Sequence, residues 1–283
     1  MTITHAPGVS FSLVVGDEIR SSADFLRTLF ALRATRANVK FWYRGQPKST
    51  FRLVPSIGRT HSTGSMQAEF NAHQERELLH RFRRRAYPYV GRIMTDWEAL
   101  FLARHHRLPT RILDWTANPL VALYFACCEE PDSPGDLWAF NKFGTTEHDL
   151  DVLALANDST AEGPLTYYPA TFDDTPIKGV STDEAVKILH PFYNSPRMVS
   201  QDGAFTLHSN PWRSIDAYAN IVFQPERLDI EQLYRWPIPA DAKLPLHREL
   251  NSLNISRRMM FPDLDGVALS LVEAEVLWRG THV

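Results

Sequence analysis

The sequence predicts an α+β fold, a small mixed sheet flanked by helices in one domain spanning residues 1–283. Three observations point there. Short apolar runs of strand length are interspersed with amphipathic helical stretches in no strict alternation, which argues against a doubly wound sheet. The chain has 283 residues, 44% of them hydrophobic, enough for one large core or two small ones. Polar and ionisable residues run directly into an apolar helix between Ala103 and Ala126 (ARHHRLPTRILDWTANPLVALYFA), as when a site is built on the end of a core element.

In chain order, Ser21 or Ser22 caps a first helix with Phe25, Leu26, Leu29 and Phe30 on one face. Val39 to Arg44 reads as a strand stopping at Gly45, and Phe51 to Val54 as a second strand ended by Pro55. Met66 to Arg85 reads as a long charged helix. Thr95-x-x-Glu98 is a capping box, so a helix starts near Thr95 and ends at His105 or His106 before Pro109. Thr110 to Trp115 is a short strand. Thr116 or Asn118 then caps a buried helix with Pro119 in its first turn, where a missing N–H costs nothing. Leu137 to Phe140 is a strand. The Asp-, Thr-, Gly- and Pro-rich stretch from Phe143 to Thr182 reads as a surface insertion, with room for a helical turn at Val152 to Ala156. Arg197 to Leu207 reads as a strand pair or a strand bent at Gly203, and Ile230 to Ile238 as a strand. Asp241 to Leu253 and Asp265 to Arg279 are the last helices.

Composition excludes several classes. No apolar run approaches membrane-spanning length, and the N-terminus lacks the basic start of a signal peptide. The two cysteines, Cys127 and Cys128, are adjacent and cannot clip the fold or hold a metal, so a reducing, cytoplasmic setting and no metal site are expected. A net charge of −3 rules out the whole molecule as a polyanion binder, although Arg81, Arg83, Arg84 and Arg85 form a local basic run: a solvated helix face or a polyanion contact.

Five motifs carry a resemblance: Tyr43-Arg44-Gly45; His105 with Leu108-Pro109-Thr110-Arg111-Ile112-Leu113-Asp114-Trp115-Thr116; Pro119 to Ala126; Gln201-x-Gly203-x-Phe205-Thr206; and Phe261 to Gly266. In this order, from about Ile19 to about Leu271, the chain resembles FRG-domain proteins. The motif layout is also similar to that of NAD-dependent ADP-ribosyltransferases. The resemblance implies an ADP-ribosyltransferase-like core, with Arg44, His105, Asp114 and Gln201 as the catalytic set. It implies NAD contacts from Tyr43, Arg44, Gly45, Arg111, Trp115, Thr116 and Phe205. Arg44 would hold ribose or pyrophosphate, the Asp114-Trp115-Thr116 turn would support the nicotinamide ribose, and Gln201 would bond a ribose hydroxyl or the acceptor. His105 would be the general base.

Gln201 stands where better-known members of that fold carry Glu. Asp202 or Asp114 then supplies the charge, or catalysis rests on positioning, or the site binds without catalysing. The expected function is transfer of ADP-ribose to a protein or nucleic acid, as a toxin or anti-phage effector under a possible inhibitory partner; the alternative is a non-catalytic nucleotide-binding signalling module. A nuclease is a weaker third reading. Structural roles stand beside these: Arg44 paired with Asp114, an Arg111–Asp114 ion pair, His105 and His106 closing a helix, Gln201 satisfying a bend, Trp115 as core or pocket wall, and Asp263 or Asp265 capping the last helix.

Overall fold

The computed structural model describes residues 12–35, 39–63, 65–142, 150–151, 186–190, 196–218 and 230–279. Nearly all of the stretch read as an insertion, 143–182, lies outside them. The elements are β1 (Ser12–Val15), α1 (Ser22–Thr35), β2 (Phe41–Gln46), β3 (His61–Thr63), β4 (Met66–Ala68), α2 (Ala72–Val90), α3 (Asp96–His105), β5 (Ile112–Thr116) and α4 (Pro119–Cys127). Then follow β6 (Gly135–Lys142), β7 (Leu150–Asp151), β8 (Val186–His190), α5 (Pro196–Ser200), β9 (Gly203–His208), β10 (Ile230–Ile238), α6 (Ala240–Ser252), α7 (Arg257–Met260) and α8 (Leu264–Arg279).

This is the expected mixed α/β architecture. Eight strands form one sheet in the order β1-β10-β6-β2-β5-β9-β8-β7, and β3 and β4 form a separate hairpin. Only the outer pairs β1/β10 and β7/β8 are parallel. The sheet is nearly divided at its centre. β2 pairs with β6 over six residues but with β5 at a single position, Tyr43 opposite Thr116.

Alternation along the strands assigns the core. Trp42, Leu113, Trp115, Trp138, Phe140 and Ala204 pack together on one face. On the other, Phe41, Tyr43, Leu137 and Ala139 of one half-sheet bury against α1, α4 and α6. Ile112, Phe205 and Leu207 of the other half bury against α2 and α3. Gly45 allows the first of these contacts: a Cβ there would lie 1.9 Å from the Ala122 carbonyl oxygen and 2.5 Å from the Ala126 nitrogen of α4.

Several boundaries differ from the sequence reading. β2 continues through Gly45 to Gln46. Residues 51–54 form no strand. Phe51 N–H turns back to Lys48, and Leu53 N–H bonds the Ser214 hydroxyl, so this stretch is an anchored loop. Met66 to Ala68 belong to the hairpin, and α2 begins later because Asn71 and Gln74 form a capping box. It runs past Arg85 to Gly91, whose φ of 74° ends it. The Arg197 segment opens with the short helix α5 before β9. The Thr95–Glu98 box and the Asn118 cap stand as read, and Asp263 accepts from Gly266 N–H at 2.6 Å at the start of α8. Among the described residues, no helix is long and apolar enough to cross a membrane.

Candidate functional site

A cavity of about 270 Å³ lies where the two half-sheets part. One wall is Tyr43, Gly45, Val121, Ala122 and Phe125; the other is Phe101, Met198 and Phe205. Charged groups converge between them: Arg44, Arg104, Arg107 and Arg197 against Asp114 and Glu129, with His105 alongside.

Arg44 lies in the gap between β2 and β5. Its Nη1 donates to the Asp114 carbonyl at 2.6 Å, and its Nε is buried with no partner among the described residues. Burial, helped by the nearby Arg59, pulls its pKa down to about 9, with Asp114 opposing. A cation held in so poor an environment gains from any anion that reaches it.

Asp114 is claimed by Arg104, whose Nε donates at 3.1 Å and whose Nη2 holds the second oxygen. Burial pushes the Asp114 carboxyl up, but Arg104, Arg44 and Arg197 outweigh it and hold it below the usual range. Burial likewise opposes the Arg104 charge, and Asp114 more than restores it. Arg197 has no carboxylate in ion-pair contact among the described residues. Burial and the neighbouring Arg107 and Arg104 lower its pKa, and its guanidinium lies 4.4 Å from the Phe261 ring centroid. His105 is also lowered, first by burial and then by Arg197 and His106, so it is neutral at pH 7.

Arg111 is not in this cavity, contrary to the sequence expectation, and it does not pair with Asp114. It is fully buried and bound to Glu75, with Nη2–Oε2 at 2.6 Å and Nε–Oε2 at 3.1 Å. Its Nη1 donates to the carbonyls of His208 and Ser209. Arg111 stands just before β5, where Glu75 of α2 takes both its guanidinium and its backbone N–H. Trp115 contributes to the cavity wall, but its indole lies in the core of the opposite face, donating to Thr206 Oγ1 at 3.0 Å and edge-on to Phe140. The Thr116 hydroxyl is occupied by the turn, donating to the Gln201 carbonyl at 2.6 Å and accepting from Asn118 N–H. Gln201 lines the cavity from the loop between α5 and β9, not from a late strand, and its Nε2 donates to the Met260 carbonyl at 2.9 Å. Tyr43, Gly45 and Phe205, which the resemblance implies as NAD contacts, line the cavity wall.

Residues 39–134 match the family model of the FRG domain. The likeness to the FRG domain is confined to that segment. The FRG segment supplies β2, α2, α3, β5 and α4, and with them Arg44, Arg104, His105 and Asp114. Arg197, Gln201 and Phe205 close the cavity from beyond it. No curated protein and no solved structure matches the chain.

Sequence reasoning missed Arg104, Arg107, Arg197 and Glu129 as site residues. Arg104 and Arg107 flank the His105-His106 pair and were within reach; Arg197 carries no motif. It also missed Lys243, which is buried below the rim. Its ammonium donates to the carbonyls of Pro47 (2.9 Å), Glu129 (2.6 Å), Glu130 (2.6 Å) and Ser133 (3.3 Å). Pro47 and Glu129 line the cavity, so Lys243 fixes that edge.

Proposed function

We propose that the cavity binds NAD and that the protein transfers ADP-ribose from it to a macromolecular acceptor. The observation carrying this reading is the convergence of four arginines on one cavity whose half-exposed carboxylate, Asp114, is already paired with Arg104. A surplus of planar, bidentate cations suits a pyrophosphate. Phe101, Phe125 and Phe205 offer apolar surface for a nicotinamide ring. A cavity of this size takes one half of the dinucleotide, and the other half lies along the mouth.

In that reading the bond between ribose C1′ and the nicotinamide nitrogen breaks, and its electron pair leaves with neutral nicotinamide. The oxocarbenium-like centre is attacked by an acceptor nucleophile, whose proton passes to neutral His105 and on to water. Asp114 lies near enough to the arginines to orient Arg44 through its carbonyl, and Gln201, anchored on Met260, positions a ribose hydroxyl. The cellular role that fits is a toxin or anti-phage effector held by an inhibitory partner.

One observation favours a second reading, a nucleotide-binding module without chemistry. Asp114 is paired with Arg104, and Glu129, the other carboxylate lining the cavity, is exposed. Purified protein with NAD, followed by released nicotinamide and by melting temperature, separates the two. Transfer predicts release and a raised melting temperature, both lost in Arg44→Ala. A raised melting temperature with no release in any lysate leaves the binding module, and neither effect overturns both.

A further inference from the structure

Beside the cavity, α2 presents a cationic face that the proposed chemistry does not use. Arg81, Arg85 and Tyr89 fall at four-residue steps, as do Arg76, His80 and Arg84, so each set forms a stripe along the helix. All six are exposed, with Tyr89 at 91% and neighbouring Tyr87 at 51% of full exposure. Glu77 is the only carboxylate outside on this helix, and it is paired with Arg81 at 2.6 Å. Glu75 is buried against Arg111, and Arg83 is tied to Asp96. Arg76, Arg84 and Arg85 make no ion pair among the described residues.

This surface leads to the cavity. Phe82 of α2 packs on His106 at 6.4 Å between ring centroids, and the next residue, Arg107, lines the cavity. Arg107 is exposed, with a φ of 64° that turns the chain from α3 toward the mouth. A polyanion lying on α2 therefore meets Arg107 and then Arg197. The chain as a whole carries −3, so this helix is locally opposite in sign and orients a polyanion toward itself.

We propose that α2 is the docking surface for a single-stranded nucleic acid, and that this nucleic acid is the acceptor. The acceptor half of the proposal rests on the ADP-ribose transfer reading; the docking half does not. Two observations favour nucleic acid over an acidic protein. Exposed tyrosines, one of them nearly bare, stand among the arginines, where unpaired bases stack on them, and the cations are arginines, which serve phosphates two oxygens at a time. The single strand follows from the same tyrosines, since paired bases expose no ring face to them. A base amine or sugar hydroxyl at the mouth becomes the nucleophile on C1′, and its proton leaves by His105.

The test is fluorescence polarisation with a labelled single-stranded oligonucleotide of about 16 nucleotides, in DNA and RNA form, across a salt series. Wild type is compared with Arg84→Glu/Arg85→Glu and with Tyr89→Ala, all exposed positions, with melting curves to show that the variants are folded. The double variant is expected to weaken binding at least tenfold and to flatten the log–log salt slope by about 1.4, two phosphate contacts at about 0.7 each. Tyr89→Ala is expected to weaken it about tenfold with the slope unchanged. Binding within about twofold of wild type in the double variant overturns the docking surface. Displacement of the oligonucleotide by an equal charge of poly-glutamate also overturns it, in favour of an acidic protein. The melting shift given by NAD is read on the same samples. If it is absent while oligonucleotide binding follows the predictions, the transferase reading fails and the docking surface stands.

Discussion

Glu75→Gln separates a structural Arg111 from a ligand-binding one. Both side chains are out of solvent, at 0% and 1% exposure, and Glu75 accepts from Arg111 Nε, Nη2 and backbone N–H. The amide keeps the shape but removes the charge and turns an N–H toward the guanidinium. A buried cation left without its counter-charge costs about 3–5 kcal/mol. Unfolding entropy of about 2.1 cal/mol/K per residue, over 283 residues, makes that a fall of about 5–8 °C in melting temperature. Urea unfolding and a thermal melt measure it, and the melting shift given by NAD is expected to survive in the folded variant. A loss below about 1 kcal/mol, or an NAD effect abolished with stability intact, would refute the structural assignment.

Gly45→Ala drives a methyl into the α4 backbone and is expected to cost about 3 kcal/mol or more, read as a lower urea midpoint. His208 is buried, hydrogen-bonded by Nε2 to Thr206 Oγ1, and its pKa is pushed down to about 3 by burial, Arg111 and Arg44. The unfolded chain binds that proton near pH 6.5, so its contribution is full above pH 6.5 and drains away toward pH 3, at up to about 1.4 kcal/mol per pH unit. His208→Gln is expected to flatten that part of the stability–pH curve; an unchanged slope contradicts a neutral buried imidazole. Asp114 is depressed, so its contribution is complete above its ordinary value of 3.8 and is lost as pH falls through the folded value. Acid titration of Asp114→Asn is expected to show a shallower limb below about pH 4.

The stretch from Thr95 to Cys127 was legible because its signals are local. A capping box, a proline after the helix, and Asn118 before Pro119 each act within one turn of chain. The helix start before α2 misled because Met66 to Ala68 are apolar enough for either state, and only the Asn71–Gln74 box marks the true beginning. α5 is a five-residue helix, too short for periodicity to register. The site was half legible. Arg44, His105 and Asp114 stood out as ionisable groups on core elements. Arg111 had the same appearance, yet its partner Glu75 lies 36 residues upstream, and no spacing rule connects them. Arg197 joined the cavity only through the packing of α5 and β9.

Lys243 gives the cavity rim an unusual independence from its surroundings. Four carbonyl oxygens at 2.6–3.3 Å around one ammonium form the kind of nest that a potassium or ammonium ion would occupy. Here the ion is covalently leashed to α6 and cannot be exchanged, diluted or competed away. The loops bearing Pro47, Glu129 and Ser133 therefore keep their geometry whatever the monovalent salts around the protein. Salt reaches only the solvent-facing charges, and the edge of the cavity carries its own cation wherever the chain goes.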